Sequence, residues 1–200
     1  MIKQVQRGFT IVELIIVIVI IAILVLITSG LYQNAQIQSR DIKVRDAADK
    51  FGDALRIWIA NHDNRYPVGG YGSTSPVAAN GECLDGSDGY VDPKAYGSNT
   101  CTIGDVLVAA GLLTPSFFSE LPQAQLSGTT GKPMLVYRCT GNKFILLFWQ
   151  ESPNSTDTST MNTDYYACQV PAMPTFIAAY GTDFPMRDLW GARAGKIFEF

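Results

Sequence analysis

Charge is scarce in this 200-residue chain. Asp, Glu, Lys and Arg together make up 16% of it, below the roughly one quarter usual for soluble domains. Basic residues are not in excess. The formal net charge is −3, which argues against direct nucleic-acid binding, because phosphate recognition needs a basic footprint. Histidine occurs once, as His62, so a Ser-His-Asp triad or a histidine metal site would rest on one residue. No Cys-x-x-Cys pair occurs, which sets aside zinc-ribbon and thioredoxin-like chemistry. No catalytic constellation emerges, and we expect no enzyme activity. Internal repeats are also lacking.

What is present is one long apolar run. Between Phe9 and Ser39 the only charged residue is Glu13, and every residue from Leu14 to Ile27 is apolar. A plain cytosolic globule does not carry such a segment. Phe9 to Ile27 is nineteen residues, close to the ~20 that span a bilayer as a helix. Lys3 and Arg7 precede it, and a basic start keeps that end cytoplasmic. A secretory signal peptide also begins basic and ends at small residues, and Ser29 and Gly30 are small. Two features oppose that reading: the length of the run, and Glu13. A carboxylate costs roughly 2.5–3.5 kcal/mol at the membrane centre and less near its edge. Something must offset Glu13.

The segment Arg7-Gly8-Phe9-Thr10-Ile11-Val12-Glu13-Leu14 resembles the class III leader and mature start of type IV pilins and their pseudopilin relatives. The resemblance implies a leader of residues 1–8. A membrane-embedded prepilin peptidase would cut after Gly8 and methylate the new amino terminus at Phe9. Glycine at Gly8 lets an extended backbone enter a narrow site. The cut leaves the apolar segment whole, so the product stays in the membrane. It also creates a cationic amine one helical turn from Glu13. In lipid an unpaired charge is expensive, so pairing of Glu13 with its own amine or a neighbour's would set the register between subunits.

Beyond Ile27 the helical pattern continues. Leu31 to His62 contains no proline, and Val44, Ala48, Phe51, Leu55, Trp58 and His62 recur at three- and four-residue steps beside Ile59. That is an apolar stripe on one helix face, with Arg40, Asp41, Lys43, Arg45 and further charges filling the rest. Core packing is the preferred reading of the stripe, and packing or capping that of His62. Phe9 to His62 would be a helix of ~80 Å. Gly30 weakens it by about 1 kcal/mol against alanine, and many pilins carry a helix breaker there. The helix should end before Tyr66-Pro67, because proline disfavours helix in the residue before it.

A Gly-, Ser- and Asp-rich loop follows. Thr102-Ile103-Gly104-Asp105 has the form of a capping box opening a short helix that stops at Gly111. Met134–Thr140 and Lys143–Gln150 read as strands joined at Gly141-Asn142. Tyr165–Val170 reads as a third strand, and Lys196–Phe200 as an edge strand. The expected fold class is therefore α+β. In the resembled pilin fold a long N-terminal helix, half in the membrane and half amphipathic, packs on a small antiparallel sheet with long loops. The expected boundaries are 9–30 for the transmembrane and assembly half, and 31–200 for the head. Within the head, 31–63 is the amphipathic helix, 64–133 a loop region with one short helix, 134–170 the sheet and 171–200 a C-terminal region.

Four cysteines allow three pairings. Proximity in the chain favours Cys83–Cys101 and Cys139–Cys168, and a membrane-anchored, loop-rich chain suits an oxidising compartment. The second pair resembles the C-terminal disulfide loop of pilins, although a longer tail follows Cys168 here. Asp85, Asp88 and Asp92 sit on a glycine-rich loop whose oxygens would suit calcium. Their spacing is not that of an EF-hand, and a solvated turn is the preferred reading. Asn154-Ser155-Thr156 forms a glycosylation-type sequon, with a plain solvated loop preferred. No other cofactor is expected.

The resemblance implies a structural subunit of a type IV pilus or pilus-like filament, serving adhesion, twitching motility or DNA uptake. Its implied partners are other pilins in a helical filament, the prepilin peptidase, an inner-membrane platform protein and an assembly ATPase. Before assembly it would sit as a single-pass protein in the cytoplasmic membrane, in contact with lipid and with its head outside the cytoplasm. Afterwards it would be extracellular. A pseudopilin of a type II secretion system is the close alternative, and a minor tip pilin with a binding role is another.

Overall fold

A computed structural model of the chain describes residues 10–69, 78–84, 89–91, 101–122, 125–126, 129–130, 134–152, 163, 168 and 194–200. The chain divides into two compact units, Met1–Ser39 and Arg40–Phe200. In the first unit the described residues from Ile11 onward belong to one helix, α1 (Ile11–Ala60), which continues into the second. An 18-residue window of α1 reaches a mean hydropathy of 3.4, and none of it is buried. Length and composition suffice to cross a membrane. The helix runs through Thr28, Ser29 and Gly30 without a break, and the Thr28 hydroxyl donates back to Leu24 O at 2.9 Å.

In the second unit α1 turns from exposed to buried on one face. Val44, Ala47, Ala48, Phe51, Ala54, Leu55, Trp58 and Ile59 enter the core. The small side chains Ala47 and Ala54 widen the stripe read from the sequence. Phe51, Leu55, Trp58 and Ile59 are buried almost completely, and each such side chain contributes about 1.5–3 kcal/mol relative to exposure. The helix ends at Ala60, two residues before the expected His62. Asp63 and Asn64 take left-handed backbone, φ 55 and 57. There the amide of Asn64 donates to Ile59 O at 3.1 Å, a helix-closing bond of the Schellman kind.

The sheet has the order β1-β4-β5-β6 and is antiparallel throughout. Its full strands are β4 (Met134–Arg138), β5 (Lys143–Phe148) and β6 (Ala194–Glu199). β1 (Gly89–Tyr90) adds two residues beside β4. A separate hairpin joins β2 (Gln125–Leu126) to β3 (Thr129–Thr130). Three short strands thus lie in the stretch expected to be loop with a helix. The expected strand Tyr165–Val170 meets a correction at its one described residue, because Cys168 has helical backbone. The β4–β5 register pairs Met134 with Phe148 and Arg138 with Phe144, so Met134, Val136, Phe144, Leu146 and Phe148 share the face that packs in the core with α1. Alternation puts Leu135, Tyr137, Ile145 and Leu147 on the other face, and they are buried too. Phe198 of β6 stacks on Phe144, its cross-strand partner, with centroids 5.1 Å apart. A long helix with a small antiparallel sheet is the α+β arrangement read from the sequence.

The short helix α2 (Ile103–Ala109) carries a full capping box. The Asp105 carboxylate accepts from the Thr102 amide at 2.8 Å, and the Thr102 hydroxyl accepts from the Asp105 amide at 3.3 Å. Gly111, at φ +70, closes it in a conformation that side-chain-bearing residues rarely adopt.

Candidate functional site

Glu13 sits in the first turn of α1, four residues from the expected cut. Its carboxylate accepts from the Thr10 amide at 2.9 Å and from the Thr10 hydroxyl at 2.8 Å. In return the Thr10 hydroxyl accepts from the Glu13 amide at 3.2 Å. This is a reciprocal capping box. It satisfies two backbone donors that a helix start would otherwise expose, and in lipid each unsatisfied donor costs several kcal/mol. Glu13 therefore has a partner within its own chain. Thr10 is the residue that reading the sequence passed over. The signal was present, because Thr-x-x-Glu immediately before an apolar run is the capping-box pattern. Gly8 and Phe9, the expected cleavage and methylation positions, lie outside the described residues.

The apolar face that follows is bare in its own unit. Leu14 to Ile27 includes Ile16, Ile20, Leu24 and Ile27, each more than half exposed. A helix that is apolar on all sides belongs in lipid or among other helices.

In the second unit α1 is fastened at the head end by a polar clamp. The Arg40 guanidinium donates to both carboxylate oxygens of Glu151, at 2.7 and 2.5 Å, which holds Arg40 more firmly protonated than an ordinary arginine. Asp41, which the sequence pattern placed among the outward charges, is buried. It accepts from the amides of Glu151 and Ser152, at 2.7 and 3.1 Å. The bend after β5 thus supplies two backbone donors to a helix side chain, and the burial of Asp41 is compensated.

At the helix exit His62 stacks on Trp58, centroids 3.8 Å apart. Its Nδ1 lies 2.7 Å from Trp58 O; a carbonyl only accepts, so Nδ1 carries the proton. His62 packs and caps there. Arg65 pairs with Glu82, fixing the residue next to Cys83 to the helix exit.

Cys83 is bonded to Cys101, and Cys139 to Cys168. The first bridge ties the loop after the helix to the N-cap region of α2. The second ties the end of β4 to Cys168, whose carbonyl also accepts from the Thr140 amide at 3.1 Å. Asp85, Asp88 and Asp92, the candidate calcium ligands, and Asn154, the candidate glycosylation site, lie outside the described residues. Among the described residues no cluster of three or more His, Cys, Asp or Glu could hold a metal.

Residues 3–29 match the family described as the prokaryotic N-terminal methylation motif. That motif, with its class III leader, is the signature of prepilin-like proteins of the type IV pilin and pseudopilin kind. No curated protein and no solved structure matches the chain.

Proposed function

We infer that this chain, a prepilin-like protein by the signature at residues 3–29, is a structural subunit of a type IV pilus or pilus-like filament. The observation that carries the reading is one segment: the methylation motif at residues 3–29 takes in the bare apolar stretch Leu14–Ile27 of α1. In this reading residues 1–8 are removed, Phe9 becomes the methylated terminus, and residues 9–30 cross the cytoplasmic membrane with the head on the far side. Extraction into a filament exchanges lipid for the helices of neighbouring subunits. The platform protein and ATPase expected from the resemblance supply the work, and no catalytic cofactor or enzymatic step is required. Calcium on the Asp85 loop stands as the alternative for the head alone.

Glu13 then has two roles in succession. Before assembly its charge is shared with Thr10, which lowers the cost of carrying a carboxylate into the bilayer edge. On assembly the amine of a neighbouring subunit's Phe9 competes for the same carboxylate. The exchange is favourable because an ammonium–carboxylate bond is stronger than a hydroxyl–carboxylate bond. Two sequence features, Tyr66-Pro67 and Leu121-Pro122, favour a secretion pseudopilin. The two disulfides and long loops favour a surface filament.

The test is processing followed by assembly. Mass spectrometry of protein from the native host should find a chain beginning at methylated Phe9. Glu13→Gln should be processed and folded but should fail to form sheared surface filaments when it is the only copy. Wild-type filament levels from Glu13→Gln would remove the pairing from the reading. An intact Met1 in filaments would remove the processing step.

A further inference from the structure

We propose that Asn80 is a site of spontaneous modification, where a neutral carboxamide becomes a carboxylate through a cyclic imide formed with the amide nitrogen of Gly81. This goes beyond the filament role and does not depend on it. The chain holds eight asparagines, and Asn80 alone is followed by glycine. Asn80 stands exposed in the turn Ala78–Glu82. Exposed loop tips of small residues are where a backbone opens most readily. Two backbone bonds close this one: the Gly81 amide donates to Ala78 O and the Ala78 amide donates to Glu82 O, each at 2.8 Å.

Three features of the turn suit the reaction. Gly81 has no Cβ, so no side chain crowds the approach of its nitrogen to Cγ of Asn80. Even a Cβ built there would meet nothing within 4 Å, so the tip is open to water on that side. The Asn80 carboxamide oxygen accepts from the Glu82 amide at 3.2 Å. That donor faces the atom on which charge develops as the nitrogen adds, and a donor already in place stabilises such an oxyanion. One hydrogen bond, to Ala78 O, holds the nucleophile back. Residues 78–81 lie outside the hydrophobic core, so that bond breaks by local opening of the tip.

Water is the only co-reactant, and nothing is oxidised or reduced. A solvent base removes the Gly81 amide proton, and the nitrogen bonds to Cγ of Asn80. The oxyanion collapses, the Cγ–Nδ2 bond breaks, and the amine leaves as ammonia with a proton from solvent. Water then opens the five-membered imide. Opening at Cγ gives aspartate in an ordinary backbone. Opening at the backbone carbonyl gives a β-aspartyl linkage, in which the main chain runs through the side-chain carbon. Either product adds one negative charge to a chain whose formal charge is −3. The β-aspartyl product also lengthens the main chain two residues before Glu82. Glu82 is buried and grips Arg65, so the longer linkage loosens the tie between this turn and the helix exit.

The test incubates the intact chain in detergent micelles at mildly alkaline pH and follows every asparagine by peptide mapping with mass spectrometry. Labelling by an isoaspartate-specific methyltransferase reads the β-aspartyl product. Asn80 should convert at least about tenfold faster than any other asparagine, a barrier difference of about 1.4 kcal/mol, and should yield both products. Gly81→Ala should slow the conversion by about tenfold or more. Alanine there takes a positive φ, so Asn80→Gln serves as the second variant. It keeps an amide on the exposed tip but cannot close a five-membered imide, and it should not convert. Retention of the Asn80 amide while another asparagine converts first would overturn the proposal. So would aspartate without the β-aspartyl product, wild-type rates in either variant, or conversion of Asn80 in urea-unfolded chain alone.

Discussion

Gly52→Ala should destabilise the head, although alanine is the better helix former. Gly52 lies on the buried face of α1, opposite β6. A Cβ built there falls closer than 3.0 Å to three carbons of the Phe198 ring, whereas carbon contacts are optimal at about 3.5–4.0 Å. The ring cannot step aside cheaply. Phe198 is 6% exposed and stacked on Phe144, so moving it moves β6 along the whole β5–β6 ladder. Overpacking of this kind costs about 1–3 kcal/mol or somewhat more, against a helix-propensity gain of about 0.8–1.0 kcal/mol. The net expectation is a loss of about 1–2 kcal/mol, or a Tm lower by roughly 2–8 °C for a chain of this size. Thermal unfolding of the intact protein in detergent, followed by near-ultraviolet circular dichroism, reads it. The decisive arm is the Phe198→Ala background, where the clash is gone and only the propensity gain should remain. There Gly52→Ala should stabilise by up to about 1 kcal/mol. A rise in Tm from Gly52→Ala alone, or the same effect in both backgrounds, would refute the reasoning.

Asp41→Ala should cost about 1–3 kcal/mol, because it strands the two amides in the bend after β5 that donate to it; the shift of the urea midpoint measures it. Replacing Cys139 and Cys168 together by serine should cost about 2–4 kcal/mol, given a closed loop of sequence separation 29, seen as a lower Tm that reductant no longer changes further at that pair. The Glu199 carboxylate accepts from the Lys143 ammonium in an exposed ion pair, and that hydrogen bond holds its carboxyl below the ordinary range. A folded value below the unfolded one means a contribution present above the unfolded pKa of about 4.3 and lost as pH falls through the folded value. The Tm difference between wild type and Glu199→Gln should therefore be small and positive at pH 7 and should close on acidification below about pH 4.3. A difference that grew on acidification would contradict the ion pair.

The elements legible in the sequence are those whose signals are local. The stripe from Val44 to Trp58 repeats at helical spacing, the Thr102–Asp105 box announces α2, and Gly141-Asn142 joins β4 to β5 at the expected place. At the candidate site the leader pattern around Gly8, Phe9 and Glu13 was legible, while the local Thr10–Glu13 box was passed over although the capping rule was enough to find it. What else escaped depends on distant partners. Asp41 looks like any outward charge until the bend after β5 supplies two amides from residues 151 and 152. β1 is two residues long and exists only through its pairing with β4, so no periodicity could reveal it. Cys168 carries strand-like neighbours in sequence, yet it has helical backbone and is held by a disulfide and by the Thr140 amide. Local preference there yields to the crosslink.

The place of Phe198 against Gly52 also sets a timetable. The buried face of α1 is made early in synthesis, but the ring that covers it belongs to β6, close to the last residues described. At roughly 5–20 residues per second, the interval between the two is on the order of ten seconds. For most of that wait Phe51, Leu55 and Trp58 have a helix to sit on, and then β4 and β5 to meet, but not yet the ring of Phe198. The approach of Phe198 to Gly52 joins an early-made helix to a strand made much later, and it stays unmade through the synthesis of everything between them.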